Sequence, residues 1–448
     1  MCISHFLPDM LTNRKSAFVA LLTLALLTIC ATYAEAQETT LTLRHAVELA
    51  QKKSASAVIA DTDQKIAENS VEQIRGLFLP QVNVGAGIGY SRGFPLTLEG
   101  SAPSLFNLNS QQSVLNTSLL SSMRAAKSDA KAAAMNADEK KSQIALDTCL
   151  VYLELVKLTM SHQSLVQLEG AAARVEKVSQ ERFSAGVDSQ ADLSRARLIS
   201  ARARLALVQE QGKTDALRQR LAQLAGLSMG QIVVDAKSVP ALPESAQDDD
   251  VAAKAVATSN SLKSLQEHTV ALELRAQAEH RAMLPTFDFA AQYAVLANYQ
   301  HYQDYFARPF MRNNVTAGVV IRLPIFNFAQ KARAETADLE SLRAKKEVEV
   351  AKQQVSNETL RLKNSVRQLA AARDVARLEA EVATADADAM VTRMESSQAT
   401  QRDLESARLV EVQKKAALID AQFELDQVRL QLMQATGGLG TWFNSGPQ

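Results

Sequence analysis

Two hydrophobic periods run through this chain. Over Leu79 to Ser91, Val82, Val84, Ala86, Ile88 and Tyr90 alternate with Asn83, Gly85, Gly87, Gly89 and Ser91. A period of two sends alternate side chains to opposite faces of a strand. One face is apolar and the other is polar or bare, the pattern of a strand between lipid and a wet lumen. The alternation returns at Phe287, Phe289, Ala291, Tyr293 and Val295, and again at Val315, Ala317, Val319, Ile321 and Leu323. Gln112 to Leu120 reads as a weaker extended stretch. Arg92 to Ser110 is rich in Gly, Pro, Ser and Asn and reads as a loop. Strands are therefore expected over 80–92, 112–120, 285–297 and 313–323.

The second period is helical. From Ser121 to Arg182 there is no Pro, and Gly170 is the one Gly. Ala, Lys, Glu, Gln and Leu dominate, all strong helix formers. Such a helix would be roughly 90 Å long. Ser184 to Ser189 reads as a turn, and a second helix follows to Leu224. Ile232-Val233-Val234 is a short extended patch, and Asp248-Asp249-Asp250 reads as the acidic start of the next helix. Another Pro-free and Gly-free run extends from Asn327 to Glu395. It breaks at Ser396-Ser397-Gln398, and a last helix runs from Thr400 to Ala435.

The two halves repeat each other. Leu79-Pro80 matches Leu284-Pro285 at an offset of 205. Arg182 matches Arg393, Asp192-Leu193 matches Asp403-Leu404, and Gly226 matches Gly437, all at an offset of 211. The heptad rows coincide: Leu193, Leu207 and Leu221 fall on Leu404, Leu418 and Leu432. Alternating Leu and Ala at a period of 3.5 marks antiparallel coiled-coil packing. The expected organisation is a signal segment over 1–36 and a first repeat over 37–240. That repeat holds a helical hairpin over 121–225 and a small mixed patch over 227–240. A second repeat covers 241–436 with its hairpin over 326–436, and a tail covers 437–448.

Charge and targeting narrow the setting. Lys+Arg and Asp+Glu are both 49, so no net charge argues for nucleic acid. Asn13-Arg14-Lys15, the apolar stretch Ala17 to Cys30 and Ala34-Glu35-Ala36 make a secretory signal cleaved after Ala36. Beyond it Cys149 is the one cysteine, and no apolar run reaches about 18 residues. The histidines are scattered without metal-ligand spacing, and no nucleophilic triad is recognisable. Gly85-x-Gly87-x-Gly89 has the wrong spacing for a nucleotide loop. The chain reads as a non-enzyme without a cofactor. Tyr299, Tyr302, Tyr305, Phe306 and Phe310 suggest an interfacial aromatic girdle or packing within an external loop.

Four strands cannot close a membrane barrel, and an open edge in lipid leaves backbone groups unpaired. Two copies would give eight strands, too narrow for a conduit; three give twelve, an even count in the observed range. The expected fold is mainly α with membrane β. An internally duplicated long-helix coiled-coil tunnel is joined to four strands per protomer in a trimeric twelve-stranded barrel.

These residues resemble the TolC-type outer-membrane channels of efflux and type I secretion. The resemblance rests on Leu79-Pro80, Leu284-Pro285, Leu323-Pro324-Ile325-Phe326-Asn327, and Arg182-Phe183-x-x-Gly186 with Asp192-Leu193. It covers essentially the whole chain after the signal. The exit Ser118-Leu119-Leu120-Ser121-Ser122 departs from it by lacking Pro-x-Phe, and Ser397 stands where the first hairpin has Gly186. The resemblance implies a homotrimer in outer-membrane lipid, docked to a periplasmic adaptor and an inner-membrane pump. It places adaptor contact at the tips, at Gly186, Val187, Ser397 and Gln398. It also implies a charged periplasmic gate, for which Glu405, Asp403, Arg402 and Asp192 are candidates. Asp192 and Asp403 begin helices and are equally read as caps; Glu405 is the stronger candidate for a lumenal ring. The competing reading is a periplasmic coiled-coil adaptor or scaffold, which predicts one hairpin between compact β-domains.

Overall fold

The computed structural model describes residues 39–87, 104–227, 232–243, 250–296, 311–396 and 398–445. The expected signal segment and the aromatic loop lie outside these residues, as do the sequence positions of Asp248, Asp249 and Ser397.

The chain begins with strand β1 (Thr39–Leu41), helix α1 (Leu43–Lys53) and helix α2 (Ala55–Gly76). Strands β2 (Gln81–Gly85) and β3 (Ser104–Leu115) follow, then helices α3 (Thr117–Ser184) and α4 (Gln190–Ala225). After strand β4 (Ile232–Val234) come helices α5 (Val251–Thr258) and α6 (Asn260–Arg281). Strands β5 (Thr286–Leu296) and β6 (Asn313–Arg322) lead into helices α7 (Phe328–Glu395) and α8 (Gln401–Ala435), and the short helix α9 (Leu439–Asn444) ends the described chain. Helices α3 and α7 are each 68 residues, about 100 Å at ~1.5 Å per residue.

Three sequence expectations change here. The strand expected over 80–92 is confined to Gln81–Gly85 among the described residues, and 88–92 lie outside them. The strand expected over 112–120 lies earlier, at Ser104–Leu115, so part of the expected loop 92–110 is strand. Asn116 closes it by capping α3, and Thr117 to Leu120 are already helical. Helix α9 occupies what was expected to be a plain tail.

Caps fix where the helices start. Ser54 and Ser259 cap α2 and α6 through bonds from Ala57 and Leu262 N–H. Ser189 and Thr400 form capping boxes with Asp192 and Asp403 at the starts of α4 and α8. Asp250 is at the N-cap of α5 without a side-chain bond to the helix.

The packing is an arc of helices. Along the strand-proximal half the order is α2, α3, α6, α7; along the other half it is α4, α3, α8, α7. Helices α2 and α4 stand at one edge and α7 at the other. Alanines at the inner contacts, such as Ala125, Ala132, Ala196 and Ala276, are buried and let the backbones approach closely.

The main apolar core sits at the middle of the molecule, where α1, α3, α4, α8 and α9 meet around Tyr152, Leu155, Leu221, Leu430 and Trp442. There β1 pairs in parallel with β4. Tyr152 Oη ties them together: it donates to the Leu41 carbonyl at 2.7 Å and accepts from Asp235 N–H at 2.9 Å. Ser238 Oγ lies 2.8 Å from the same phenol and accepts from Leu43 N–H at 3.1 Å. Such a buried phenol needs these partners, because an unmade bond there would cost more than the made one contributes.

Candidate functional site

The four-stranded sheet has the order β2-β3-β5-β6 and is antiparallel throughout. Directly paired residues share a face, so the register sorts the side chains. Val84, Leu108, Tyr293 and Val315 form one cross-strand row, and Gln112, Phe289 and Val319 another on the same face. On the opposite face Asn83, Asn109, Gln292 and Thr316 form a row, next to Gly85, Asn107, Ala294 and Asn314. One face is therefore largely apolar and the other is a ladder of amides and small residues. Bulges at Ser104/Phe106 and Ser113/Leu115 bend β3 against β5. Gly85 sits directly beneath the Asn107 amide, which would have to turn aside to admit a side chain there.

The polar face holds one ion pair among its described residues. Asp288 is 6% exposed, and its carboxylate lies 3.3 Å from the Arg322 guanidinium. Both residues were legible only as polar members of an alternating strand. Their placement at the helix-proximal end of one face needs the register.

At the other end of the molecule, the first hairpin turns through Gly186, which has φ +74°. Gly186 N–H bonds the Phe183 carbonyl at 3.0 Å and Val187 N–H the Arg182 carbonyl at 2.9 Å, a Schellman turn. Arg182 Nε also donates to Asp188 at 2.9 Å across the turn. In the second hairpin Gln398 N–H bonds the Arg393 carbonyl at 2.8 Å, the same bond 211 residues on. Ala399 stands where the first tip has Asp188. Val187 and Gln398 are exposed; Ser397 lies outside the described residues.

The charged candidates separate. Asp192 and Asp403 are the third residues of their helices and bond back to the caps, Asp192 through Ser189 and Asp403 through Thr400. Asp192 also pairs with Arg195 at 3.2 Å. The side chain of Arg402 is outside the described residues. Glu405, the candidate for a lumenal ring, packs between the hairpins. It is 4% exposed, with Arg174 of α3 at 3.8 Å and Arg408 at 3.9 Å. Both are loose ionic contacts beyond hydrogen-bond reach: Arg408 approaches from the same helix and Arg174 from the other hairpin. Near it, a groove of about 1000 Å³ between α7 and α8 runs past Gln398, Arg393 and Asp403 over Val375, Val382 and Met390.

Among the described residues there is no cluster of His, Cys, Asp and Glu that could hold a metal ion. Cys149 is buried in the core, which pushes its thiol up to about 12. No helix of the described residues is long and apolar enough to cross a membrane.

No protein-family model matches the sequence, and no curated protein matches it. Solved structures do. The outer membrane protein VceC from Vibrio cholerae aligns with a TM-score of 0.71 at 17% identity, over 88% of this chain and 96% of that one. The Campylobacter jejuni CmeC outer membrane channel aligns at 0.72 and 14%, over 89% and 86%. The open state of the Neisseria gonorrhoeae MtrE outer membrane channel aligns at 0.67 and 18%, over 89% of each. The chain has the fold of TolC-type outer-membrane channels.

Proposed function

We propose that this chain is the outer-membrane conduit of a tripartite efflux or type I secretion system, working as a homotrimer. The observation that carries the reading is the two-faced sheet with open edges. Its apolar face suits lipid and its amide ladder suits water. Strands β2 and β6 end the sheet, and edges left bare in a membrane are untenable.

The helices support the same closure. Large apolar side chains remain exposed on the edge helices, including Ile59 and Ile66 on α2, Leu205 and Val208 on α4, and Leu339, Leu342, Val375, Leu378 and Val382 on α7. Exposed apolar surface of this extent marks an interface. The arc carries α2, α4 and β2 on one edge and α7 and β6 on the other. Copies joined edge to edge close a ring, and three give a twelve-stranded barrel over a helical tunnel. Transport through it is passive, and a pump in the inner membrane supplies the energy.

The tips carry the contact with a periplasmic adaptor, through Gly186, Val187, Ser397 and Gln398. Asp192, Asp403 and Arg402 mark the charged periplasmic end. Glu405 acts there as a latch between hairpins through Arg174. The adaptor or scaffold reading fits poorly, because each hairpin is preceded by paired amphipathic strands.

The test is fractionation followed by planar-bilayer recording. Oligomers in the outer-membrane fraction that dissociate on boiling, and that conduct ions, support the reading. A soluble periplasmic monomer overturns it.

A further inference from the structure

We infer that the ion pair between Arg322 and Asp288 sets the charge preference of the pore where the sheet meets the helices. This rests on the conduit reading, in which the amide face of the sheet lines the lumen.

Position comes first. Arg322 is the last residue of β6, just before the segment that leads into α7. Asp288 is near the start of β5, just after α6. The register pairs Thr286 with Arg322 and Asp288 with Val320, so both charges lie on the amide face at its helix-proximal end. Among the described residues of the four paired strands they are the only charges on that face; Arg312 precedes β6 at the opposite end of the sheet. The rest are Asn, Gln, Ser, Thr and small or apolar residues, including Asn83, Gln111, Gln292 and Asn314.

The pair is lopsided. The Asp288 side chain is 8% exposed, whereas that of Arg322 is 60% exposed. The carboxylate is tucked against the sheet and the guanidinium faces the solvent space. On the helices beside the junction, Arg281 donates to Ser121 Oγ at 2.6 Å and Glu279 accepts from Gln330 at 2.6 Å, so both keep their charges but are held by neighbouring helices and not by the sheet. An uncharged polar lumen does little to sort ions by sign. A ring of side-chain charges at one level does. In a closed assembly each copy contributes one guanidinium at this level, and the tucked carboxylates offset that positive field.

Removing either partner should expose the other. Arg322→Gln leaves a ring of carboxylates and should raise the potassium-to-chloride permeability ratio several-fold. Asp288→Asn leaves a ring of guanidiniums and should lower it several-fold. Arg322→Lys keeps the charge and should stay close to the unmodified channel, as should the double variant Asp288→Asn/Arg322→Gln. The readout is the reversal potential of the full-length oligomer in a salt gradient across a planar bilayer. Opposite shifts in the two single variants establish the inference. If one of them fails to assemble, the sign of the shift in the other decides. Conducting variants with unchanged reversal potentials overturn it and leave the pair as a strand-end clamp. An unmodified chain that does not conduct at all instead overturns the conduit reading on which it rests.

Discussion

Asn116 and Asn327 cap the two 68-residue helices from positions 211 apart, with the same bond. Asn116 Oδ1 accepts from Leu119 N–H at 2.9 Å, and Asn327 Oδ1 accepts from Gln330 N–H at 2.9 Å. The cap marks the point where strand becomes helix in each half. Changing either Asn to Ala removes one bond from an otherwise orphan donor and should cost about 1 kcal/mol. The two single variants should lose similar amounts in denaturant unfolding of the detergent-solubilised protein. A loss at one site alone would show that the halves are not capped alike.

Two turn glycines should differ in what they tolerate. Gly186 has φ +74° and nothing near the position of an added Cβ, so Gly186→Ala should cost only the backbone term of about 1–2 kcal/mol. Gly226 has φ +63°, and its added Cβ would lie 2.8 Å from Lys53 Cβ and 3.3 Å from the Lys53 carbonyl oxygen. Gly226→Ala carries the same backbone term and a clash with α1. Thermal unfolding should rank it clearly below Gly186→Ala. Equal losses would mean that α1 shifts freely.

Burial raises the Cys149 thiol from 9.0 to about 12. A folded-state value above the unfolded one gives stability that is complete below pH 9.0 and is lost as pH rises toward 12. At neutral pH the thiol is therefore protonated and shielded. Maleimide labelling should be very slow in the native protein and fast in denaturant. Rapid native labelling would contradict the tight core around Tyr152.

Glu405→Gln should change gating more than stability. Arg174 and Arg408 are 61% and 48% exposed, so water screens the charges left behind, and the stability cost should be about 1 kcal/mol or less. The hairpins lose their charged tie at α3 and α8, and open-channel current should rise. Unchanged current in bilayer recordings would remove Glu405 from the latch.

The legibility of the fold varied with local chemistry. Strand β6 was plain because Val315 to Leu323 alternate apart from Val320 and Pro324 ends the run. Strand β3 was not, because Asn107, Asn109, Gln111 and Ser113 face the polar side and read like a loop. The repeat offset contained the missing clue: moving Asn327 back by 211 lands on Asn116. Strand β1 has three residues and exists through a partner nearly two hundred positions away, which no local pattern reports. The Asp-Leu motif at each hairpin pointed to Asp192 and Asp403, and a capping role was already readable from their places at helix starts. The burial of Glu405 was not, because it depends on Arg174 reaching it from another helix.

The central claim is that this chain closes its open edges only with copies of itself. Native mass spectrometry of the detergent-extracted, full-length protein tests it most directly. A complex of three chains that survives mild activation and dissociates on boiling is expected. A folded, stable single chain as the dominant species would contradict it.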